Sequence, residues 1–342
     1  MRVGKILSIV VVSLAGLIMV AAVGIGIRVL GISRIREQQN FAPPDSQQTV
    51  SPANKIVLVS KSTGPSSFLY RSDPSTGATA RLTNAKSGIE SEASFSHNGE
   101  LVVYSFAESS NSISSVWLVG TDGSNAHRIS HDDQDALHPV FSPDDSKVFY
   151  AVSKFTGNYS PIVRPARHDW DLFSVPVQSS PAGGENVPAQ ITHSSFYDLR
   201  SLDAASDDLN QGGVKLLIST TGYPIGALIE ELNLGDSGRD KIFQPHVPGE
   251  SSVGPSYGEA RFANDGMVIL FLAASDTSGG NYDYNVYSMS DVTGAEVKQL
   301  SHLNGMTENL QSLPGGKASF VNGNVTYLLD LSTQVVKPIG PT

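Results

Sequence analysis

No cysteine occurs among the 342 residues, so the chain has no disulfide framework, no thiolate metal site and no cysteine nucleophile. Long amphipathic helical patterns are equally missing. In their place, 32 Gly and 19 Pro stand among abundant Ser, Thr and Val, the make-up of an all-β protein rich in turns. Positive charge is scarce: 23 Lys and Arg face 33 Asp and Glu. Five of the basic residues and one acid lie in residues 1–40, which leaves 18 basic and 32 acidic residues beyond them. A surface of that sign repels nucleic acid and anionic headgroups, which excludes nucleic acid as a partner and favours neutral or cationic ones.

What the chain does have is a repeated phrase. It reads Glu-Ala-Ser-Phe-Ser-His-Asn-Gly-Glu-Leu-Val-Val-Tyr at 92–104, His-Pro-Val-Phe-Ser-Pro-Asp-Asp-Ser-Lys-Val-Phe-Tyr at 138–150, and Glu-Ala-Arg-Phe-Ala-Asn-Asp-Gly-Met-Val-Ile-Leu-Phe at 259–271, with weaker copies at 50–59 and 311–321. Each copy predicts a hairpin: a short strand, a tight turn of Pro, Asp, Asn or Gly, and a second strand apolar on both faces. A strand of that kind belongs in a sheet covered by neighbouring sheets. A third strand with an aromatic follows (Phe68-Leu69-Tyr70, Val116-Trp117-Leu118, Asp171-Leu172-Phe173, Asn285-Val286-Tyr287). A fourth ends at Arg81-Leu82-Thr83, Arg128-Ile129-Ser130, Gln190-Ile191-Thr192, Lys241-Ile242-Phe243, Gln299-Leu300-Ser301 and a degenerate Val336-Lys337-Pro338. Six such endings predict six four-stranded blades of a β-propeller.

The Phe-Ser-Pro-Asp-Asp turn, the aromatic third strand and the Arg-Ile-Ser ending resemble the TolB-like six-bladed β-propeller family, whose repeats are relatives of WD repeats. The resemblance covers roughly residues 50–340 and implies a fold, since propellers host many unrelated activities. Blade 4 departs most from the pattern, because Ser201-Leu202-Asp203-Ala204-Ala205-Ser206 lacks the turn and leaves its register open. A blade completed by strands from both chain ends, near Thr49 to Pro52 or Val335 to Ile339, is expected to close the ring.

Ahead of the repeats, Ile6 to Ile27 is a run of 22 residues without a charge. As a helix it spans about 33 Å, enough for the hydrocarbon core of a bilayer. Residues 1–32 therefore read as an uncleaved membrane anchor rather than a cleaved signal peptide, whose apolar core is usually shorter. Residues 33–49 read as a polar stalk and 50–342 as the propeller. Together these place the propeller outside the cytoplasm on a single-pass anchor.

The candidate site residues follow from aligning the repeats. The residue just before the first strand of each blade should lie at the mouth of the central channel, which gives Glu92, His138, Glu259, Arg200 and Asn309, with Asp135, Asp198, Arg261 and Glu308 nearby. Such a mixed polar ring in a concave site suits recognition of a small group or a peptide terminus. The expected function is a protein-, peptide- or glycan-binding scaffold without a cofactor. The alternative is a hydrolase or lyase acting on cell-envelope glycans or peptides, which needs carboxylates or a His poised for proton transfer. His131, Asp132, Asp133 and Asp135 form the densest oxygen-rich cluster and are the weak candidates for Ca2+. The literal Gly-x-Ser-x-Gly at 254–258 lacks the apolar strand and following helix of a nucleophile elbow.

Overall fold

The computed structural model describes residues 48–50, 57–73, 76, 78–157, 166–177, 187–207, 212–222, 226–247, 257–276, 283–323 and 325–339. All of these except Gly157 belong to one compact unit, Ala42–Thr156 with Ala166–Thr342. The expected anchor and most of the stalk lie outside the described residues, among which no helix is long and apolar enough to cross a membrane.

Among the described residues, twenty-four strands fall into six antiparallel meanders of four, each drawn from one continuous stretch of chain. Blade 1 is β1 (Gln48–Val50), β2 (Val57–Thr63), β3 (Ser66–Ser72) and β4 (Thr79–Arg81); blade 2 is β5 (Ile89–Phe95), β6 (Leu101–Ala107), β7 (Ser114–Gly120) and β8 (His127–Arg128). Blade 3 is β9 (Asp135–Phe141), β10 (Lys147–Gly157), β11 (Ala166–Pro176) and β12 (Ala189–Gln190); blade 4 is β13 (Asp198–Asp207), β14 (Gly213–Gly222), β15 (Gly226–Leu234) and β16 (Lys241–Phe243). Blade 5 is β17 (Tyr257–Ala263), β18 (Val268–Asp276), β19 (Asp283–Ser290) and β20 (Lys298–Gln299); blade 6 is β21 (Thr307–Leu313), β22 (Lys317–Asn322), β23 (Val325–Asp330) and β24 (Val335–Ile339). Blades 1 and 2 are additionally joined by one parallel pair, Ser67 with Ile89.

The expected shared blade is corrected by this topology. β1 pairs with β2 and β24 with β23, so each end of the chain completes its own blade. Among the described residues the sheets are not joined into a closed hydrogen-bonded ring; blade 1 meets blade 6 where β1 lies beside β21 and β22. The stalk boundary also moves, since Gln48 and Thr49 are already strand. Blade 4, whose register the sequence left open, forms the hairpin Asp198 to Thr221 through Asp207 to Gly213, with one register shift between Leu199 and Ser201.

Among the described residues, five buried clusters occupy the five seams between consecutive blades. Leu58, Leu69, Phe95 and Tyr104 fill the first seam, Val103, Val116, Phe141 and Tyr150 the second, and Phe149, Leu172, Leu202 and Leu216 the third. Leu217, Phe243, Phe262 and Phe271 fill the fourth, and Leu270, Val286, Leu310 and Phe320 the fifth. Neighbouring residues of one strand, such as Leu216 and Leu217, serve opposite seams, which is why the second strands are apolar on both faces.

The repeated turns are held by their own side chains. Ser142 Oγ donates to Asp144 Oδ1 at 2.6 Å, and Asp145 adopts φ 58°. That left-handed backbone suits Asp, Asn and Gly, the residues the phrase repeats at this place.

Candidate functional site

Each inner strand from β5 onward carries an irregularity at nearly the same point. The register shifts between Ser91 and Ser94 in β5, Leu137 and Val140 in β9, Leu199 and Ser201 in β13, Tyr257 and Ala260 in β17, and Glu308 and Gln311 in β21. These are β-bulges, which bend a strand and re-aim a side chain. Glu92, His138 and Asn309 occupy them with φ of 51°, 54° and 56°. Glu92, His138, Arg200, Glu259 and Asn309 thus sit at the bulges, as the repeat alignment grouped them, but as the third or fourth residue of the strand. The correction to "just before the strand" has a simple cause: each inner strand pairs upstream of its bulge as well as downstream.

A cavity of about 980 Å³ opens along these strands and takes its walls from all six blades. Glu92, His138, Arg200, Glu259, Arg261 and Asn309 line it, together with Leu58 and Leu69 of blade 1 and the turn residues His97 and Asn264 to Met267. Asp135, Asp198 and Glu308 are not on that lining. Asp135 is buried in the seam of blades 2 and 3, accepting from Ser114 N at 2.7 Å and Arg167 Nε at 2.6 Å. Asp198 faces Arg200 Nε at 3.7 Å.

Most lining carboxylates are engaged across a seam. Glu92 Oε2 of blade 2 accepts from His138 N of blade 3 at 2.7 Å and from Ser105 Oγ at 3.0 Å, while its Oε1 lies 3.2 Å from His138 Nδ1. Glu259 of blade 5 accepts from Asn309 N at 2.7 Å and Leu310 N at 3.1 Å in blade 6, and pairs with Arg261 at 3.1 Å. Blade 4 reaches blade 5 through Asp203, which accepts from Phe262 N at 2.7 Å, through Ser201 Oγ, which accepts from Ala260 N at 2.9 Å, and through Arg200, which donates to the Tyr257 carbonyl. The His138 ring also packs against Trp170, centroids 5.7 Å apart.

Burial pushes the carboxyls of Glu259 and Asp203 up, opposed by Arg261 in both cases. Glu308 is raised by burial and by the Glu259 charge. Glu90, buried between blades 1 and 2 where it accepts from Leu69 N at 2.7 Å, is likewise raised by burial. Asp330, by contrast, is pulled down to about 2 by hydrogen bonds from Ser332 and Thr333. The sign of the pH dependence follows. A carboxyl raised on folding binds more protons in the folded state, so stability falls as pH climbs from its unfolded value toward the folded one. A depressed carboxyl loses its contribution as pH falls through its folded value. Thermal melts are therefore expected to show higher stability near pH 5 than at pH 8, with a decline below the ordinary aspartate range. A monotonic rise from pH 5 to pH 8 would contradict the assignment.

The weak metal candidates are not brought together. Asp132 is exposed and pairs with Arg128 at 3.1 Å, His131 and Asp133 are exposed, and Asp135 is committed as above. Among the described residues no group of three or more His, Cys, Asp or Glu could hold a metal ion. Of the 254–258 motif, Tyr257 and Gly258 open β17, and 254–256 lie outside the described residues. Trp170 and Tyr284 are buried, so neither offers a ring face to a sugar. Repeat alignment missed Asp203 and His97. Asp203 had one legible signal, a charge in the middle of an inner strand; His97 looked like an ordinary turn residue.

Six meanders around a polar cavity define a β-propeller, here of the TolB-like fold. The chain is similar to TolB from Agrobacterium tumefaciens at 16% identity, over 75% of this chain and 80% of that one, with a TM-score of 0.54. It is also similar to an oligogalacturonate lyase in complex with manganese (12% identity, 85% and 75% covered, TM-score 0.55). Hydrazine synthase of Kuenenia stuttgartiensis matches at 14% identity over 81% of this chain and 42% of that one, TM-score 0.58. No protein-family model and no curated protein matches the chain.

Proposed function

We propose that the chain is a binding scaffold: a six-bladed propeller, held outside the cytoplasm by an N-terminal membrane anchor, that receives a protein or peptide partner in its channel. The observation that carries this reading is the 980 Å³ cavity whose walls come from all six blades. Supporting it, Glu92 and Glu259 spend their oxygens on backbone N–H groups across the seams, which suits a rigid recognition surface better than proton transfer. The apolar run Ile6 to Ile27 supports the anchor.

A second reading, a hydrolase or lyase, is favoured by the raised carboxyls of Glu259, Asp203 and Glu308 beside one concave site. Incubating the full-length protein with cell-envelope peptides and glycans separates the two. Saturable binding without product supports the scaffold, whereas turnover replaces it with the enzyme. The anchor has its own test: full-length protein is expected to stay in the membrane fraction through alkaline extraction, and a soluble mature form starting near residue 23 would overturn it.

A further inference from the structure

Blades 2 and 3 are tied at the channel by two histidines that face carboxylates across one seam. His97, in the turn of blade 2, places Nδ1 2.8 Å from Asp145 Oδ1 in the turn of blade 3, and Asp145 also accepts from His97 N at 2.8 Å and Asn98 N at 2.9 Å. His138, at the bulge of blade 3, places Nδ1 3.2 Å from Glu92 Oε1 at the bulge of blade 2, and Glu92 Oε2 accepts from His138 N at 2.7 Å. Each blade thus supplies one histidine and one acid. Both side chains reach water, at 55% and 18% exposure, and both residues line the cavity. At the seams of blades 4 and 5 and of blades 5 and 6 the acceptors are Asp203 and Glu259, held by backbone N–H groups and, at Glu259, by Arg261.

A neutral imidazole gives a carboxylate an ordinary hydrogen bond, whereas an imidazolium gives it a charge-assisted one, roughly twice as strong. Histidine is the side chain that takes this step between about pH 5 and 8, and the new charge helps to keep the carboxylate ionised. The charges around both rings suit the proton. His97 has Asp145 across the seam, Asp203 of β13, whose carboxyl feels the His97 charge, and Glu100 in its own turn. His138 has Glu92 of β5, Glu259 of β17, whose carboxyl feels the His138 charge, and the uncharged Trp170 of β11. The cations on this wall are matched already, Arg261 by Glu259 at 3.1 Å and Arg200 by Asp198 at 3.7 Å; on β9 itself, Asp135 is matched by Arg167. We propose that the seam of blades 2 and 3 is a proton-responsive clasp. Acid converts the contacts of His97 with Asp145 and of His138 with Glu92 into ion pairs and tightens the two blades along the channel; neutral pH relaxes them. The clasp acts on the cavity whatever the cavity takes, so it does not rest on the scaffold reading.

Amide hydrogen exchange of the full-length protein at about pH 5.5 and 7.5, corrected for the intrinsic pH dependence of exchange and localised by overlapping peptides, tests the clasp. The amides of His97, Asn98 and His138, all donated across this seam, are expected to gain about fivefold in protection at the lower pH, the order of change when a hydrogen bond becomes charge-assisted. The Ala260 amide is the internal control: it crosses the seam of blades 4 and 5 to the neutral Ser201 hydroxyl, and its protection should change by less than about twofold. His97→Gln combined with His138→Asn should abolish the gain, Asn being suited to the left-handed backbone at φ 54°. Each single variant should lose it at its own pair. No gain in the parent, an equal gain at Ala260, or a gain that survives in the double variant each overturns the clasp. The comparison within the parent decides by itself if the double variant does not fold. Turnover in the cavity would replace the scaffold reading and leave this result untouched.

Discussion

Replacing Lys215 with methionine is expected to cost about 3–5 kcal/mol, the usual penalty for stripping one partner from a buried ion cluster. For a domain of this size that is a fall of roughly 5–8 °C in melting temperature. Lys215 Nζ of blade 4 lies 2.5 Å from Asp291 Oδ2 and 2.8 Å from the Gly266 carbonyl of blade 5, and 3.5 Å from Glu231 Oε2. Lys241 bridges the same two acids, at 3.1 Å to Glu231 and 2.7 Å to Asp291. Two positive and two negative groups thus neutralise one another in the seam. Glu231 is 1% exposed, and burial already pushes its carboxyl up. With methionine the apolar stem is kept but Glu231 and Asp291 share a single cation. A double-mutant cycle with Asp291→Asn should return a coupling well above the ~0.5 kcal/mol typical of surface pairs. A melting temperature unchanged in Lys215→Met would mean the cluster contributes nothing to the seam.

Glu259→Ala is expected to be nearly as damaging, about 3 kcal/mol, because it orphans the N–H groups of Asn309 and Leu310 and frees Arg261 at once. Glu92→Ala should cost less, since His138 N and the Ser105 hydroxyl lose an acceptor and a hydroxyl can turn to another partner. Glu259→Gln keeps an acceptor for one of its two N–H groups and is expected to fall between them. Urea denaturation of the three variants orders the effects. An alanine variant at 259 as stable as the parent would reduce these side chains to a wet channel wall. Through these seam contacts the channel residues Glu92 and Glu259 contribute to stability as well as to the cavity wall.

Much of the fold was legible because the repeat is written in residues that act locally. Pro143, Asp144 and Asp145 make a turn wherever they stand between strands, and Leu216-Leu217-Ile218 declares a strand covered on both sides. Blade 4 was harder, for its long hairpin replaces the turn phrase with Asp207 to Gly213 and relies on pairing that only the folded register shows. Which bulge residues share the cavity was also legible, since alignment on the turn preserves distance along the strand. What their side chains do was not. Whether Glu259 faces an empty channel or a neighbour's N–H depends on contacts 50 and 51 residues away. Asp135 illustrates the same limit: its neighbours in sequence suggest a loop cluster, while its partners are Ser114 and Arg167.

The acceptors at the seams do not all point the same way. At the channel, Glu92, Asp203 and Glu259 each take hydrogen from the following blade, whereas Glu90, Asp135 and Asp145 take it from the preceding one. The seam between blades 2 and 3 has both kinds, Glu92 forward and Asp135 with Asp145 backward. Laced in opposite senses, two blades that lose one set stay tied by the other. Breaking the Glu92 contact to His138 therefore leaves blades 2 and 3 joined at Asp135 and Asp145, to either side of it along β9 and its turn.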